Sequence, residues 1–143
     1  MIFLYIFIAS FMSYSPPPSQ DSSRLEVTVS NIRNNEGHLL LTLFNSSSGF
    51  PDDNKKAVDS RSVKAEKNTV KVIFEDLPHG VYAIAIVHDE NENGKLDKNL
   101  LGVPTEGYGS SNNLKKLFRA PNFEESKFTL DQNFKNITIQ VNY

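Results

Sequence analysis

The sequence predicts an all-β fold: seven strands in a two-sheet antiparallel β-sandwich, with short helical turns and one long ordered loop. Three observations predict it. From Arg24 onward apolar residues alternate with polar ones instead of recurring at helical spacing. The alternating runs are short and bounded by Asn, Asp, Gly or Pro. One run, 81–87, is apolar at both parities, as expected of a central strand covered on both faces. A single open sheet of this size would leave an apolar face in water, so two facing sheets are expected.

The elements follow in order. Leu25, Val27 and Val29 share one face and Glu26, Thr28 and Ser30 the other, which makes a half-buried first strand. Asn34-Asn35-Glu36-Gly37 supplies turn chemistry, and Leu39, Leu41 and Leu43 restart the alternation, so the two runs are expected to form a hairpin. Between them and the next strand lies a short helical turn: Pro51 suits its first position, Asp52 and Asp53 its N-terminal dipole, and Lys55 and Lys56 its C-terminal end. Further strands are expected at 60–65, 70–74, 81–88, 127–130 and 136–143, the last with Ile137, Ile139, Val141 and Tyr143 on one side. The interval 89–126 has no convincing strand and far exceeds the ~12–15 residues usual for a structureless connection. Leu100, Leu101, Val103, Tyr108 and Leu114 argue that it packs back on the sheets, with a helical turn near 112–118.

The 143 residues suit one domain. With 15 Lys and Arg against 17 Asp and Glu, the net charge of −2 offers no field to draw nucleic acid or an anionic membrane. Cysteine is absent, which excludes disulfides, thiolate chemistry and zinc–thiolate sites. At the N-terminus an apolar run, 2–12, interrupted by Ser10, is too short to span a bilayer but matches the core of a secretory signal peptide. No Lys or Arg precedes it and no clean small-x-small cleavage site stands out, so an uncleaved anchor or a mis-assigned start codon are the alternatives. The expected organisation is a signal peptide at 1–15, a Pro/Ser-rich linker at 16–23 and one β-domain at 24–143 containing the loop 89–126. The expected location is outside the cytoplasm, periplasmic or at the cell surface, with no membrane insertion of the mature domain.

The chemistry-bearing stretch is Asp89-Glu90-Asn91-Glu92-Asn93-Gly94-Lys95-Leu96-Asp97, directly after the predicted central strand. Asp89, Asn91, Asn93, the Lys95 carbonyl and Asp97 have the spacing with which a loop wraps oxygen ligands round calcium, and Gly94 stands where the backbone must turn sharply. Leu100 occupies the position of the bidentate Glu of an EF-hand, so an EF-hand is excluded. With two carboxylates in register, affinity is expected in the weak range, ~10⁻⁴ to 10⁻³ M. The competing reading is a self-capped turn, because Asn and Asp also bind their own backbone and tolerate positive φ.

Other signals are weaker. His38, His79 and His88 have no zinc-ligand spacing and are expected at the surface or at strand ends. Glu124 or Glu125 with Glu106 or Asp97 are the residues available for a carboxylate dyad acting on a glycan. Phe50, Tyr108, Phe118 and Phe123 fall in connections, where rings either stack on a ligand or partner or plug the ends of the sandwich.

The ordered series Gly49-Phe50-Pro51-Asp52-Asp53, Phe74-Glu75-Asp76-Leu77-Pro78-His79-Gly80-Val81-Tyr82, His88 to Asp97, and Gly102-Val103-Pro104-Thr105-Glu106-Gly107-Tyr108-Gly109 resembles the bacterial exported family catalogued as domain of unknown function 2141. The resemblance covers roughly 25–143 and implies export and a common fold; it assigns no catalytic residue. Leu77-Pro78-His79-Gly80-Val81-Tyr82 also resembles the Leu-Pro-x-Gly-x-Tyr signature of prealbumin-like and collagen-adhesin-type repeats, which implies an immunoglobulin-like or prealbumin-like sandwich. The first functional expectation is a non-enzymatic exported domain whose calcium-stabilised loop presents a surface to an envelope ligand or protein. The alternatives are a glycan hydrolase using acidic loop residues and a purely structural module.

Overall fold

A computed structural model of the chain describes residues 22–115 and 119–143. The expected signal peptide, most of the linker and Phe118 lie outside the described residues. The chain is all-β, with eight described strands where the sequence reading had seven. In order they are β1 (Ser22–Ile32), β2 (His38–Phe44), β3 (Asp59–Lys64), β4 (Asn68–Pro78), β5 (Gly80–Asp89), β6 (Gly107–Ser110), β7 (Phe128–Leu130) and β8 (Phe134–Gln140), with one α-helical turn, α1 (Phe123–Ser126), and two 3₁₀ turns, Asn54–Lys56 and Ser111–Asn113. They form two sheets. One has the order β4-β1-β8; the other has the order β3-β2-β5-β6, with β7 also on β5.

Two expectations about pairing are corrected. β1 and β2 do not form a hairpin: β1 pairs with β4 and β8, while β2 pairs with β3 and β5 in the other sheet. The turn-rich segment between them carries the chain from one layer to the other. Nor is the arrangement wholly antiparallel, because β1 and β8 run parallel, with Val27 opposite Ile137 and Val29 opposite Ile139.

Alternation decides which residues fill the space between the sheets. Leu25, Val27 and Val29 of β1, Leu39, Leu41 and Leu43 of β2, and Ile84 and Ile86 of β5 all have their side chains in one shared apolar core. Two bulges explain the departures from strict parity. Leu25 faces Phe74 while Ser23 faces Leu77, so β4 holds one extra residue, and Asp76 takes φ 55° there. The bulge brings Leu77 to the core side despite its odd number. On β1 the shift falls between Ser30 and Ile32, where Asn31 has φ 62° and its amide donates to the Val141 carbonyl at 2.7 Å.

β5 is the central strand that the sequence predicted. Tyr82, Ile84 and Ile86 face the shared core, while Ala83 and Ala85 face outward into a second cluster with Phe44 and Phe123, against which Phe50 and Ala57 pack. The turn before β5 changes sheets in very few residues. Pro78 and Gly80 bend the chain, and the Tyr82 hydroxyl donates to the Pro78 carbonyl at 2.8 Å.

The long interval, expected as an ordered loop without a strand, contains regular elements. It contains β6, whose Gly107 and Gly109 conceal a strand because glycine lacks the side chain that strand patterning relies on. Both glycines are needed: a Cβ on Gly107 would stand 2.5 Å from Tyr143 and Val141 side-chain atoms, and one on Gly109 would stand 2.9 Å from the Gln140 carbonyl. This close approach lets Tyr108 exchange backbone hydrogen bonds with Asn142 and stitch the two sheets together at one edge. The interval also contains α1, begun by a capping box in which Asn122 and Glu125 exchange side-chain and backbone bonds. The expected helical turn after Pro51 is a single 3₁₀ turn, Asn54–Lys56, capped by Asp53.

Candidate functional site

Among the described residues, one part of the outer face of the five-stranded sheet is covered by side chains packed on it. Phe44, Ala83 and Ala85 lie beneath Phe50, Ala57 and Phe123, with Phe50 edge-on to both neighbouring rings at 5.3 and 6.1 Å. Phe123 is 7% exposed. Phe50 and Phe123 pack against the sheet here, the second of the two roles expected for them, and Phe123 leaves little of its ring exposed. Along another part of that face, Leu40, Val87 and Tyr108 stand opposite one another across β2, β5 and β6 and form the floor of a cleft. The cleft has a volume of about 470 Å³, within the range of small-molecule sites. Of the three described ring residues expected to face a ligand, Phe50, Tyr108 and Phe123, it is Tyr108 that lines the cleft.

One wall is the long excursion after β5, through Gly94, Lys95, Leu96, Lys98, Gly102 and Pro104; Pro51 and Pro121 stand on other sides. Hydrogen bonding holds this wall in shape. The Asp89 carboxylate, on a residue 2% exposed, accepts from the backbone N–H of Asn93 at 3.1 Å and of Gly94 at 2.8 Å. Asn91 Oδ1 accepts from Asn93 N–H, and Asn93 Oδ1 accepts from Lys95 N–H. Both amides then donate to Asp97, Asn91 at 2.5 Å and Asn93 at 2.9 and 2.8 Å. These bonds, the Asn93 amide first, hold the Asp97 carboxyl below the usual carboxylate range. Gly94 takes φ 80°, as the turn requires.

The sequence thus located the loop and its alternation. The side chains of Asn91, Asn93 and Asp97 are brought together, and Asp89 is turned onto the loop backbone. No hydrogen bond of the Lys95 carbonyl joins this group among the described residues. The donor set is hard oxygen, which fits calcium in kind. No cluster of three or more His, Cys, Asp or Glu stands ready for a metal among the described residues, so a cation here would rest largely on neutral oxygens.

The residue that sequence reasoning undervalued is Glu106. It is 5% exposed, and its carboxylate accepts from the backbone N–H of Glu90 at 3.0 Å, Asn91 at 3.4 Å and Asp97 at 3.1 Å. It clasps both ends of the loop. No sequence mark identifies its partners, because backbone N–H groups are the same in every residue but proline. The other carboxylates considered for a dyad are also engaged: Glu124 with Lys127, and Glu125 with Arg119.

His88 stands at the end of β5, as expected, and is fully buried there. Its parity with Tyr82, Ile84 and Ile86 carried that signal. The Glu36 carbonyl can only accept, so Nε2, at 2.8 Å, carries a proton; Nδ1 meets the Tyr143 hydroxyl at 2.6 Å. Tyr143 in turn accepts from Arg33 N–H and lies under the Arg33 guanidinium, 4.3 Å from the ring centre. Arg33 grips Glu90 with two nitrogens, and Asn34 adds a third donor at 2.9 Å. Glu90 and Glu92 thus face away from the loop's interior, Glu92 toward His38 at 3.1 Å.

The Arg33 bonds, with Asn34 assisting, lower the Glu90 carboxyl below its ordinary value. A carboxyl depressed in the folded state contributes stability above its unfolded pKa, and that contribution is lost as pH falls through the folded value. Glu90→Gln is therefore expected to cost about 1 kcal/mol at pH 7, discounted for the exposure of Arg33. The gap from the parent should close as pH drops below ~4, measured by urea unfolding across that range.

Among the described residues no helix is long and apolar enough to cross a membrane. The family described as an uncharacterized protein conserved in bacteria (DUF2141) matches residues 27–138. No curated protein and no solved structure matches the chain.

Proposed function

Because the chain belongs to this family of uncharacterized bacterial proteins, which gives it no activity, we propose from the site itself that it is an exported, non-enzymatic binding domain. Its ligand occupies the cleft above Leu40, Val87 and Tyr108. The observation that carries the reading is that one part of the outer sheet face is plugged by aromatic residues, while another part is left as a walled, apolar-floored cleft. An architecture needing only stability would cover both parts alike. Export is supported by the apolar N-terminal run. An immunoglobulin-like or prealbumin-like sandwich is supported by two sheets sharing one core and by Tyr82 bonded across the Pro78 turn.

The test uses 1-N-phenylnaphthylamine, a neutral fluorophore that brightens in apolar surroundings. One saturable site is expected, with binding reduced at least about tenfold by Val87→Trp, which fills the floor without leaving the strand. Unchanged circular dichroism of the variant would show that the fold is retained. Failure to bind overturns the reading in favour of a structural module.

Calcium belongs to the proposal as a weak reinforcement of the wall, taken by Asp89 and Asp97 with the oxygens of Asn91, Asn93 and the Lys95 carbonyl. At 10 mM, roughly ten to a hundred times the expected dissociation constant, calcium should raise the thermal midpoint on the order of 5 °C. Asp97→Ala should abolish the rise. A midpoint indifferent to calcium would leave the loop as a turn held by its own Asx side chains and Glu106.

A further inference from the structure

The charges around the cleft are unevenly settled. Arg119 lines it, but its guanidinium is spent on Glu125, at 2.7 and 2.9 Å. Lys95 and Lys98 also line it, and neither has a carboxylate within ion-pair distance among the described residues. Asp97 lies in the field of Lys95 and keeps its negative charge, which the amides of Asn91 and Asn93 hydrogen-bond without neutralising, but it is not within ion-pair distance of Lys95. Asp52 is the one carboxylate in the lining among the described residues. Cations without partners beside an apolar floor favour an anion with an apolar body.

The mouth extends that apolar character. Gly102 and Pro104 line the cleft, and the residues next to them, Leu100, Leu101 and Val103, are 105%, 88% and 42% exposed. The turn that carries them is held in shape: Asn99 Oδ1 accepts from Leu101 N–H and Val103 N–H, and Asn99 N–H donates to the Val103 carbonyl. Two leucines held in water on a braced turn beside a cleft lengthen the surface available to a chain-like ligand.

We infer that the cleft binds a single-chain amphipathic anion, its hydrocarbon tail on Leu40, Val87 and Tyr108 and its carboxylate or phosphate head at Lys95 and Lys98. This rests on the proposed binding role of the cleft and names the ligand class for it.

The experiment displaces bound 1-N-phenylnaphthylamine with four amphiphiles of equal tail length: dodecanoate, dodecyl phosphate, dodecyl maltoside and dodecyltrimethylammonium. It is run in metal-free buffer, below their micelle concentrations. The two anions should displace at concentrations about tenfold or more below those needed for the neutral and cationic probes. The stronger of the two identifies a carboxylate or a phosphate head. Lys95→Gln with Lys98→Gln should remove the preference for the anions over dodecyl maltoside, each displacement being read against the variant's own affinity for the fluorophore. Equal displacement by all four, or a preference that survives the double substitution, overturns the anion inference and leaves the binding role standing. Absence of fluorophore binding to the parent protein removes both.

Discussion

Glu106→Ala is expected to destabilise the domain by about 3 kcal/mol and to loosen the wall of the cleft. The substitution strips the acceptor from three backbone N–H groups, on Glu90, Asn91 and Asp97. Each buried donor left without a partner costs about 1–3 kcal/mol. The total stays below the sum because the loop can relax and admit water. Glu106→Gln, which keeps one acceptor oxygen but aims N–H groups at other N–H groups, should recover little. The measurements are thermal unfolding and amide hydrogen exchange. Exchange should accelerate at 90, 91 and 97 well beyond the effect on β1 amides. A uniform change throughout the chain, or none, would mean that the carboxylate does not organise the loop.

The second large effect is expected at Phe74→Ala. Phe74 is fully buried on β4, opposite Leu25, in the core shared by the sheets. Truncation removes the transfer free energy of the ring and leaves a cavity that neighbouring strands cannot close, about 3–5 kcal/mol together. For a domain of this size the midpoint should fall on the order of 10–20 °C. Unlike Glu106→Ala, the loss should appear in global unfolding, with the loop amides no more affected than the rest. Phe74→Leu, which keeps most of the apolar volume, should lose about 1 kcal/mol. A tolerant response to Phe74→Ala would mean that the core is less tightly filled than its burial indicates.

The contrast between these two residues shows what the sequence made legible. Phe74, Leu25 and Leu41 announce their faces through period-two alternation, so membership of the core could be read in advance. Neighbours could not. Alternation says which way a side chain points and nothing about the strand alongside, so the turn chemistry at Asn34 to Gly37 suggested a hairpin where the chain changes layers. β6 escaped notice because Gly107 and Gly109 were selected for closeness to Val141 and Gln140, which suppresses the usual β-forming residues. The Asx loop was legible because its capping chemistry is local, whereas the bonds of Glu106 bridge segments nine to sixteen residues away. The cleft was invisible for a related reason: its floor comes from three strands, and only their pairing sets Leu40, Val87 and Tyr108 in a row.

The parallel partnership of β1 and β8 bears on the route by which the chain reaches its native state. Glu26 receives the Asn136 amide at 2.7 Å across a separation of 110 residues. The middle strand of the smaller layer therefore keeps one bare edge until the other described strands of both sheets have been synthesised. Loop closure over such a distance has to be paid before any ladder rewards it, which places refolding in the millisecond-to-second regime typical of high contact order. Until β8 arrives, the nascent β1 edge is an open template for another copy of the same segment, and a chaperone that shields it would raise the yield of correctly folded protein.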